Sequence, residues 1–519
     1  MSDAAARPGD RARRNTIGDA LHRVAARYGD RPALRFGERV WRYRDLDAAA
    51  DRIAQRLHAL GLVRGDRIAA YGRNSDAYLL LWLGCARAGL VHVPINYALT
   101  GGELSYIVEQ SGARAVIAEA ALEANLAPVK ALGAVRLFGR FEGGGALDVL
   151  AAAQEPAAAA HDLPVDDDDI AQIIYTSGTT ALPKGAVLTH HAILTQYQSC
   201  IYDLEFHGED KALAALPLYH VAQMHCFTMP QLLVGAATVL ITAPVPEQVL
   251  ALIEQHRITS FFAPPTVWIS LLRHADFDKR DLGSLVNLYY GASIMPVPVL
   301  HELRARLPKV RAFNCYGQTE IAPLATVLRP EEHDDRPASC GRPVLNVETR
   351  IVDPEMRDVA PGEQGEIVHR SPHLLREYWN KPAETADAFV GGWFHSGDVG
   401  YRDEAGYIYV IDRIKDVINT GGVLVASREV EEALFTHPAV SEVAVIALPD
   451  PKWVEAVTAV VVLRAGMRAT EAELIAHARQ HLAPFKLPKR VIFTDNLPRN
   501  TAGKLLKREL RKVYAAEAV

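Results

Sequence analysis

Apolar positions in the first part of the chain recur with two different periods. Residues 47–60 carry them at helical spacing, whereas residues 67–71 and 115–118 are short apolar runs typical of strands. Residues 78–96 are the most apolar stretch, but Arg87 interrupts it and it is too short to span a bilayer comfortably, so we predict a buried helix that runs into a strand. Helices and strands that alternate in this way are typical of an α/β domain.

The pattern continues to about residue 411 and then changes. Up to that point it also predicts a strand from residue 170, a strand with a following helix at 257–262, and strands at 284–290, 349–353 and 365–368. The remaining ~110 residues form a smaller α+β pattern of their own. This second pattern predicts helices at 427–435, at 470–481 and from residue 504, with strands at 440–448, 456–463 and 490–494. We therefore predict a large multi-layer α/β domain over residues 1–412 and a smaller α+β domain over 413–519.

Composition narrows the class of protein. A chain of 519 residues exceeds what one hydrophobic core usually fills, and 49% hydrophobic with 23% charged residues is typical of globular proteins. The net charge of −6 argues against a general nucleic-acid binder. The five cysteines are scattered without a CxxC pair, which indicates a reduced protein without disulfides or a zinc site. Since no apolar signal core follows the arginines near the start, we expect a cytoplasmic protein.

Four consecutive aspartates, Asp166 to Asp169, precede the strand predicted from residue 170. A metal cluster would need regular ligand spacing, which this run lacks. We interpret it as a solvated connector.

A loop rich in small residues follows that strand. Residues 175–185 read YTSGTTALPKG, so backbone N–H groups and hydroxyls could approach a polyphosphate while Lys184 adds a positive charge. The segment is not a Walker A loop, because Lys184 precedes Gly185 and no GK[ST] follows.

This loop resembles the phosphate-binding signature of the adenylate-forming superfamily, which includes acyl- and aryl-CoA synthetases, luciferases and nonribosomal-peptide adenylation domains. Six further segments resemble the family's other motifs in the same order: LPLYH at 216–220, YGAS at 290–293, YGQTE at 316–320, GWFHSGD at 392–398, IDRIKD at 411–416 and PRNTAGK at 498–504. The resemblance covers nearly the whole chain. It implies an acyl-CoA-synthetase-like enzyme of the AMP-dependent synthetase and ligase family.

The resemblance implies a role for each motif in binding ATP. Thr319 would contact the α-phosphate, Glu320 would hold Mg²⁺ with Thr176, Asp398 would accept the ribose hydroxyls, and Arg413 would reach the ribose or phosphates. Lys504 would enter the site for adenylation, and with Thr319, Glu320, His220 and Arg413 it makes up the implied catalytic set. The other implied nucleotide-binding residues are Ser177, Gly178, Thr179, Thr180, Lys184, Gly291, Ala292, Ser293, Tyr316 and Gly317.

The same resemblance implies a pocket for the acid. His220 would border its carboxylate, and the wall would comprise Val221, Thr266, Trp268, Gly291, Gly317 and Ile321, with residues 225–227 nearby. Such a lining suits a medium aliphatic or an aromatic acid.

The implied reaction has two halves. The carboxylate attacks the α-phosphorus of ATP and pyrophosphate leaves. The small domain then rotates about a hinge near Lys415 and brings Gly421 and Gly422 forward to form a channel for CoA, whose adenine would stack on Trp453 and whose phosphate Lys489 could meet. The family contains monomers and dimers, so the oligomeric state stays open.

Several departures from the family pattern concern residues implied in the second half of the reaction, the transfer to CoA. Val423 and Leu424 follow the two glycines where a polar residue is common, and Val454 replaces a common glycine. Ala181 and Glu377 also replace glycines. Besides CoA, an amine acceptor or activation of nitrite for diazotisation of an arylamine therefore remains an alternative. A non-catalytic nucleotide-binding relative is disfavoured, because the residues implied in catalysis are retained.

Overall fold

The computed structural model describes residues 10–156, 164–176, 182–293, 295–414, 416–420, 423–451, 453–500 and 505–515. Two large sheets occupy the N-terminal part of the chain. One has nine strands in the order Arg342–Pro343, Leu324–Leu328, Arg311–Gly317, Asn287–Gly291, Ser260–Phe262, Lys211–Ala214, Ala237–Leu240, Pro32–Phe36 and Arg39–Arg42. The other has six, in the order Leu137–Arg140, Ala113–Ala118, Arg67–Tyr71, Val91–Ile95, Ile170–Thr176 and Lys184–Thr189.

The helices between these strands pack on the sheets. They span Ile17–Tyr28, Tyr43–Ala59, Asp76–Ala88, Gly101–Ser111, Ala127–Ala131, Val149–Ala152, His190–Asp203, Met229–Val234, Pro246–His256, Pro265–Arg273 and Val297–Arg306, preceded by Asp10–Arg13. The helix Asp76–Ala88 is buried almost throughout and leads into the strand Val91–Ile95, which confirms the prediction for residues 78–96.

Two smaller sheets follow. The first is antiparallel, with strands Glu348–Val352, Gly365–Arg370, Phe394–Arg402 and Ile408–Arg413, and the helix Pro382–Ala388 precedes its third strand. The last sheet contains Val423–Val425, Ile418–Thr420, Val454–Leu463, Val440–Asp450 and Arg490–Phe493. Helices Ser427–Phe435, Glu471–Ala478 and Lys507–Ala515 accompany it. The mixed α/β class with a large and a smaller part is confirmed, whereas the boundary at residue 412 stays a prediction.

Some predicted bounds need correction. The strand predicted at 257–262 begins only at Ser260, because Arg257 ends the preceding helix in the left-handed conformation with φ +53°. The next strand begins at Asn287 rather than at residue 284, and the helix predicted over 470–481 ends at Ala478. The described part of the last helix begins at Lys507, three residues beyond the predicted start.

The aspartate run makes structural contacts. Asp166 and Asp169 both accept hydrogen bonds from Arg64, at 2.6 and 2.7 Å, and Asp167 accepts one from the backbone N–H of Asn15 at 2.7 Å. The run thus ties the start of the chain to the strand that leads to the phosphate loop.

The five cysteines are free and buried. Within the described part of the chain, none of the helices is both long enough and apolar enough to cross a bilayer.

Candidate active site

The phosphate loop is anchored between two antiparallel strands at the edge of the six-stranded sheet. Thr176 and Lys184 are cross-strand partners, and the Thr176 hydroxyl lies 3.4 Å from the Lys184 carbonyl oxygen. The hairpin therefore delivers both side chains to one end of the sheet. Ser177, Gly178, Thr179, Thr180 and Ala181 lie outside the described residues.

The adenine and adenylate motifs end two neighbouring parallel strands of the nine-stranded sheet, Asn287–Gly291 and Arg311–Gly317. Ligands of open α/β sheets bind beyond the carboxyl ends of such strands. Only glycine fits at both strand ends, because a neighbouring backbone carbonyl approaches too closely for a side chain. A Cβ on Gly291 would lie 2.2 Å from the Cys315 carbonyl oxygen, and one on Gly317 would lie 1.9 Å from that of Pro323.

Two alanines beside these glycines adopt the left-handed conformation. Ala292 has φ +62° and Ala322 has φ +65°. This conformation costs a non-glycine residue about 1–2 kcal/mol, and such strain concentrates where the surrounding structure holds a functional loop in place. The adenylate loop is thus bounded by strained positions on both motifs.

Glu320 brings the two nucleotide-binding elements together. Its side chain is nearly buried and lies 3.5 Å from the Thr176 hydroxyl, while the Tyr378 hydroxyl donates to the same carboxylate oxygen at 3.0 Å. Among the described residues no cluster of three or more metal-ligating side chains occurs. One carboxylate with a nearby hydroxyl fits Mg²⁺, which is commonly bound by few protein oxygens together with nucleotide phosphates.

Asp398 is held at the position implied for the ribose. The Tyr316 hydroxyl donates to Asp398 Oδ2 at 2.7 Å, and Arg413 Nε donates to Oδ1 at 2.6 Å across the strands Phe394–Arg402 and Ile408–Arg413. Burial and the Asp398 carboxylate raise the pKa of Tyr316 well above its usual value, so the phenol remains a neutral donor. Burial alone would lower the pKa of Arg413, but Asp398 together with Tyr316, Glu320 and Asp416 outweighs it and the pKa rises.

His220 lies at the start of a turn that leads into the π-helix Ala222–Thr228. Its Nδ1 accepts from the backbone N–H of Ala222 at 3.3 Å, which leaves the proton of a neutral ring on Nε2. Asn74 fixes this segment, because its amide donates to the carbonyls of Leu216 and Ile241 and accepts from the N–H of Leu218.

The π-helix is also held by a chain of buried polar side chains. Tyr197 donates to His225 Nδ1 at 2.6 Å, His225 Nε2 donates to Gln172 at 2.7 Å, and Gln172 donates to His92 at 2.8 Å. Burial lowers the pKa of both histidines to about 3, so both rings are neutral. π-Helical turns often occur at functional sites, and this one carries residues next to the implied acid pocket.

The other residues implied for the pocket differ in exposure. Val221 and Ile321 are buried, whereas Thr266 is partly exposed. Trp268 is buried against Phe261, and its indole N–H donates to the Tyr289 carbonyl at 3.2 Å. Trp268 therefore belongs to the packed layer between helix Pro265–Arg273 and the sheet.

The face implied for CoA combines an aromatic–cation pair with exposed apolar residues. Lys489 Nζ lies 4.8 Å from the ring centroid of Trp453. Val423, Leu424 and Val454 are 44%, 68% and 63% exposed. Val454 has φ +66°, a conformation that favours glycine, whereas Glu377 has no positive φ and needs no glycine. Gly421, Gly422, Lys415 and Lys504 lie outside the described residues.

Sequence reasoning missed three residues of this region: Asn74, Tyr197 and Tyr378. Asn74 follows a strand and Tyr197 lies within a helix, so neither stands in a recognisable motif. Tyr378 lies in none of the seven motifs, and its contact with Glu320 depends on how residues 371–379 return to the six-stranded sheet.

Together, the ordered motifs and the division into a large α/β part and a smaller α+β part define an AMP-binding type of enzyme. The sequence profile of the AMP-binding enzyme family matches residues 21–379, and that of the AMP-binding enzyme C-terminal domain matches residues 429–504. The chain belongs to this family. It is an enzyme of the AMP-forming acid–CoA ligase type.

Known proteins resemble the chain over most of its length. A feruloyl-CoA synthase of an Amycolatopsis species is 39% identical over 93% of this chain and 96% of its own. A long-chain-fatty-acid–CoA ligase of Mycobacterium tuberculosis is 34% identical over 91% and 93%. The solved structure of the amide bond synthetase McbA of Marinactinospora thermotolerans is 27% identical, with a TM-score of 0.87 over 96% of this chain and 99% of that one. None of these three names concerns nitrite, so the diazotase alternative has no support from them.

Proposed function

We propose that this enzyme activates an aryl carboxylic acid as its acyl adenylate and transfers the acyl group to CoA, with medium aliphatic acids as the second substrate class. The observation that carries the adenylation step is that Thr176 and, through Tyr378, Lys184 meet Glu320 from another sheet, while Arg413 pairs with the buried Asp398. The similarity to a feruloyl-CoA synthase favours an aryl acid.

In the proposed reaction each described group has a limited task. Glu320 and Thr176 hold Mg²⁺, which supplies charge neutralisation on the phosphates when it is bound. Thr319 contacts the α-phosphate, Asp398 accepts ribose hydroxyls, and Arg413 keeps Asp398 in place. Gly291, Ala292, Ser293, Tyr316 and Gly317 form the adenine and adenylate walls of the nucleotide site.

The acid is proposed to lie between His220 and the adenylate loop. The Nε2 hydrogen of His220 can donate to a carboxylate oxygen and orient it toward the α-phosphorus. Val221 and Ile321 provide apolar wall, with Thr266 as a polar contact and Gly291 and Gly317 leaving room. Trp268 supports this wall from behind.

Exchange of radioactive pyrophosphate into ATP tests adenylation directly. Hydroxycinnamic, benzoic, arylacetic and C6–C12 aliphatic acids should be supplied singly, and exchange that depends on an aryl acid is expected. Exchange with aliphatic acids alone would contradict the substrate assignment, and no exchange with any acid would contradict the adenylation step.

We predict that the Lys504→Ala variant loses adenylation selectively. Removing one charged donor aimed at the reacting phosphate should lower the exchange rate about 10²- to 10³-fold, because charge stabilisation carries this step. Thioester formation from chemically prepared acyl adenylate should stay within a few-fold of wild type. Lys512→Ala, on the exposed last helix, is the matched control. Equal loss in both half-reactions would argue against the assigned role.

The acceptor face also supports a second candidate function. Trp453 and Lys489 form a site suited to the adenine and a phosphate of CoA, but exposed Val423, Leu424 and Val454 are an unusual neighbourhood for a charged cofactor. An amide ligase would accept an apolar amine at this face. Product analysis with an aryl amine, with and without CoA, distinguishes transfer to CoA from amide formation. Thioester formation at high turnover would rule out the amide ligase.

We further propose that the small domain begins near residue 413 and turns about Lys415, with Gly421 and Gly422 lining the channel. The five free cysteines and the net charge of −6 are compatible with a cytoplasmic enzyme. Cell fractionation tests this location, and light scattering distinguishes a monomer from a homodimer.

A further inference from the structure

Residues 371–379 form a bridging segment that none of the seven motifs contains. The segment lies between the strand Gly365–Arg370 and the helix Pro382–Ala388. One end contacts the adenylate loop and the other end contacts the strand that carries Lys184. It therefore connects two nucleotide-binding elements that belong to different sheets.

On the adenylate side the contacts go to the loop backbone. The N–H of Leu375 donates to the Glu320 carbonyl oxygen at 2.7 Å, and His373 Nδ1 donates to that of Ile321 at 3.0 Å. Burial lowers the pKa of His373 to about 4, so the ring is neutral and its single proton serves this hydrogen bond. These two bonds hold the backbone directly after the Glu320 side chain.

On the phosphate side the segment adds a short stretch of backbone to the edge strand Lys184–Thr189. The N–H of Trp379 donates to the Gly185 carbonyl at 2.8 Å, and Val187 exchanges bonds with Arg376 and Glu377 at 2.9 and 3.0 Å. The segment thus covers an otherwise open sheet edge, and it fixes the strand from which Lys184 projects.

Tyr378 lies near the end of this segment and contacts both functional side chains. Its hydroxyl donates to Glu320 Oε1 at 3.0 Å, and the Lys184 ammonium lies 4.3 Å from its ring centroid. The side chain is only 6% exposed. Burial and the neighbouring carboxylate raise the pKa of Tyr378, which keeps the hydroxyl a donor at neutral pH.

These contacts restrict both partners. A charge-assisted hydrogen bond fixes the rotamer of Glu320 and leaves the second carboxylate oxygen for a hard cation. The aromatic face attracts the Lys184 ammonium and limits its freedom without neutralising it. A buried tyrosine loses little entropy in doing this, because its ring is already packed.

We propose that Tyr378 is a positioning residue for adenylation: its hydroxyl orients Glu320 toward the nucleotide-bound cation, and its ring holds Lys184 toward the phosphates. This inference rests on the proposed function of Glu320 and Lys184 in binding Mg²⁺ and ATP. It adds a residue that acts through those two and does not touch the reacting atoms.

Three variants test the proposal in the full-length protein. Tyr378→Phe removes only the hydroxyl, Tyr378→Leu removes the ring as well, and Tyr71→Phe is the matched control. The Tyr71 hydroxyl also makes partly buried hydrogen bonds, donating to the Leu99 carbonyl at 2.7 Å and accepting from Asn125 at 3.0 Å, but contacts none of the residues proposed for the nucleotide. ATP binding by calorimetry at increasing Mg²⁺ is the first measurement, and pyrophosphate exchange is the second.

For Tyr378→Phe we expect the half-saturating Mg²⁺ concentration for ATP binding to rise about ten-fold, since hydrogen bonds to charged groups are of that strength. The KM for the acid should not change. For Tyr378→Leu the affinity for ATP should fall a further ~3-fold because the contact with Lys184 is lost. Tyr71→Phe should match wild type in both respects.

A double substitution isolates the path through Glu320. In a Glu320→Gln background, Tyr378→Phe should have no further effect on the Mg²⁺ dependence. A Mg²⁺ dependence of Tyr378→Phe equal to that of wild type would overturn the proposal, as would an undiminished effect in the Glu320→Gln background. If Tyr378→Leu does not fold, the Phe variant still decides the matter. The binding measurement needs no acid, so a failure to find the acid substrate leaves this test intact.

Discussion

At the scale of single residues, Val454 is the clearest departure from what a side chain ordinarily allows. Its φ of +66° lies in the left-handed region, where the Cβ of a branched residue crowds the backbone. Because Val454 is 63% exposed, the packing of its side chain offsets little of this strain. Val454 follows Trp453 and pairs across the strands with Thr420. Thr420 directly precedes Gly421 and Gly422, which are proposed to line the channel.

We predict that Val454→Gly stabilises the protein. Glycine removes about 1–2 kcal/mol of left-handed strain and costs about 0.5–1 kcal/mol through the freedom of the unfolded chain. The net gain in the free energy of unfolding should be up to about 1.5 kcal/mol, measured by urea denaturation. Val423→Gly, an exposed strand position without positive φ, should instead destabilise. A loss of stability in Val454→Gly would show that the bend is not strained.

Residue identities predicted the motifs well and their contacts poorly. The motifs that contain Thr176, Lys184 and Asp398 could be recognised from the sequence, and their assignment to the nucleotide site stays a prediction. Tyr378 could not be found in this way, because its role depends on a long-range approach of residues 371–379 to Glu320. Glu377 and Val454 both replaced a common glycine, and only the backbone angles show that one replacement is harmless and the other strained.

At the scale of elements, three histidines form a cluster on the small domain. His477 on the helix Glu471–Ala478 lies 5.0 Å from His437 and 5.1 Å from His481, measured between ring centroids. The His477 Nε2 is within 2.7 Å of the Thr436 hydroxyl, and Glu473 lies on the same helix. Burial and the like charges of His437 and His481 lower the pKa of His477.

We predict that low pH lowers the free energy of unfolding of the small domain through this histidine cluster. The folded state lowers the pKa of His477 below its usual 6.5, so the unfolded chain binds a proton at this residue at a higher pH than the folded chain does. The stability that the neutral His477 contributes is therefore complete above pH 6.5 and is lost as the pH falls toward the lowered pKa. The urea midpoint at pH 5 should fall below that at pH 7.5, and His477→Gln should reduce this difference. His301→Gln, at an exposed position of helix Val297–Arg306, should not. An unchanged pH response of His477→Gln would contradict the prediction.

Elements with strong periodicity were predicted closely, whereas their ends were not. The strand Arg67–Tyr71 and the helix Ser427–Phe435 have the predicted bounds, because the strand is buried on both faces and the helix packs its apolar face against a core. Errors arose where a cap or turn ends an element, as at Arg257. Such ends depend on backbone conformations that the apolar pattern does not record.

At the scale of the whole molecule, the last two sheets are connected by backbone hydrogen bonds, a side-chain hydrogen bond and an apolar contact. The N–H of Ile414 donates to the Gly397 carbonyl, and the N–H of Asp416 donates to that of Arg413. Ser427 donates to Asp412 at 2.6 Å, and Phe435 packs against the core that contains the nine-stranded sheet. A rotation of the small domain would have to exchange the contacts of Ser427 and Phe435, while the strand that ends at Arg413 could stay in place.

We predict that Lys415→Pro separates the two half-reactions. Domain rotation is absorbed by large φ/ψ changes at a few residues, and proline fixes φ near −65°. Pyrophosphate exchange should stay within a few-fold of wild type if the fixed angle suits the adenylating arrangement, while formation of the acyl-CoA product should fall at least ~10-fold. The readout is the ratio of the two rates in the same preparation, so a general loss of folded protein cancels.

Lys415→Ala is the control for this test, because it removes the side chain and leaves the backbone free to rotate. Its ratio of exchange to product formation should equal that of wild type. If the proline variant instead lost exchange and kept transfer of prepared acyl adenylate to CoA, the fixed angle would suit the second arrangement, and the hinge assignment would still hold. Equal ratios in proline and alanine variants would place the pivot elsewhere, since a backbone lock at Lys415 would then have no effect on the alternation.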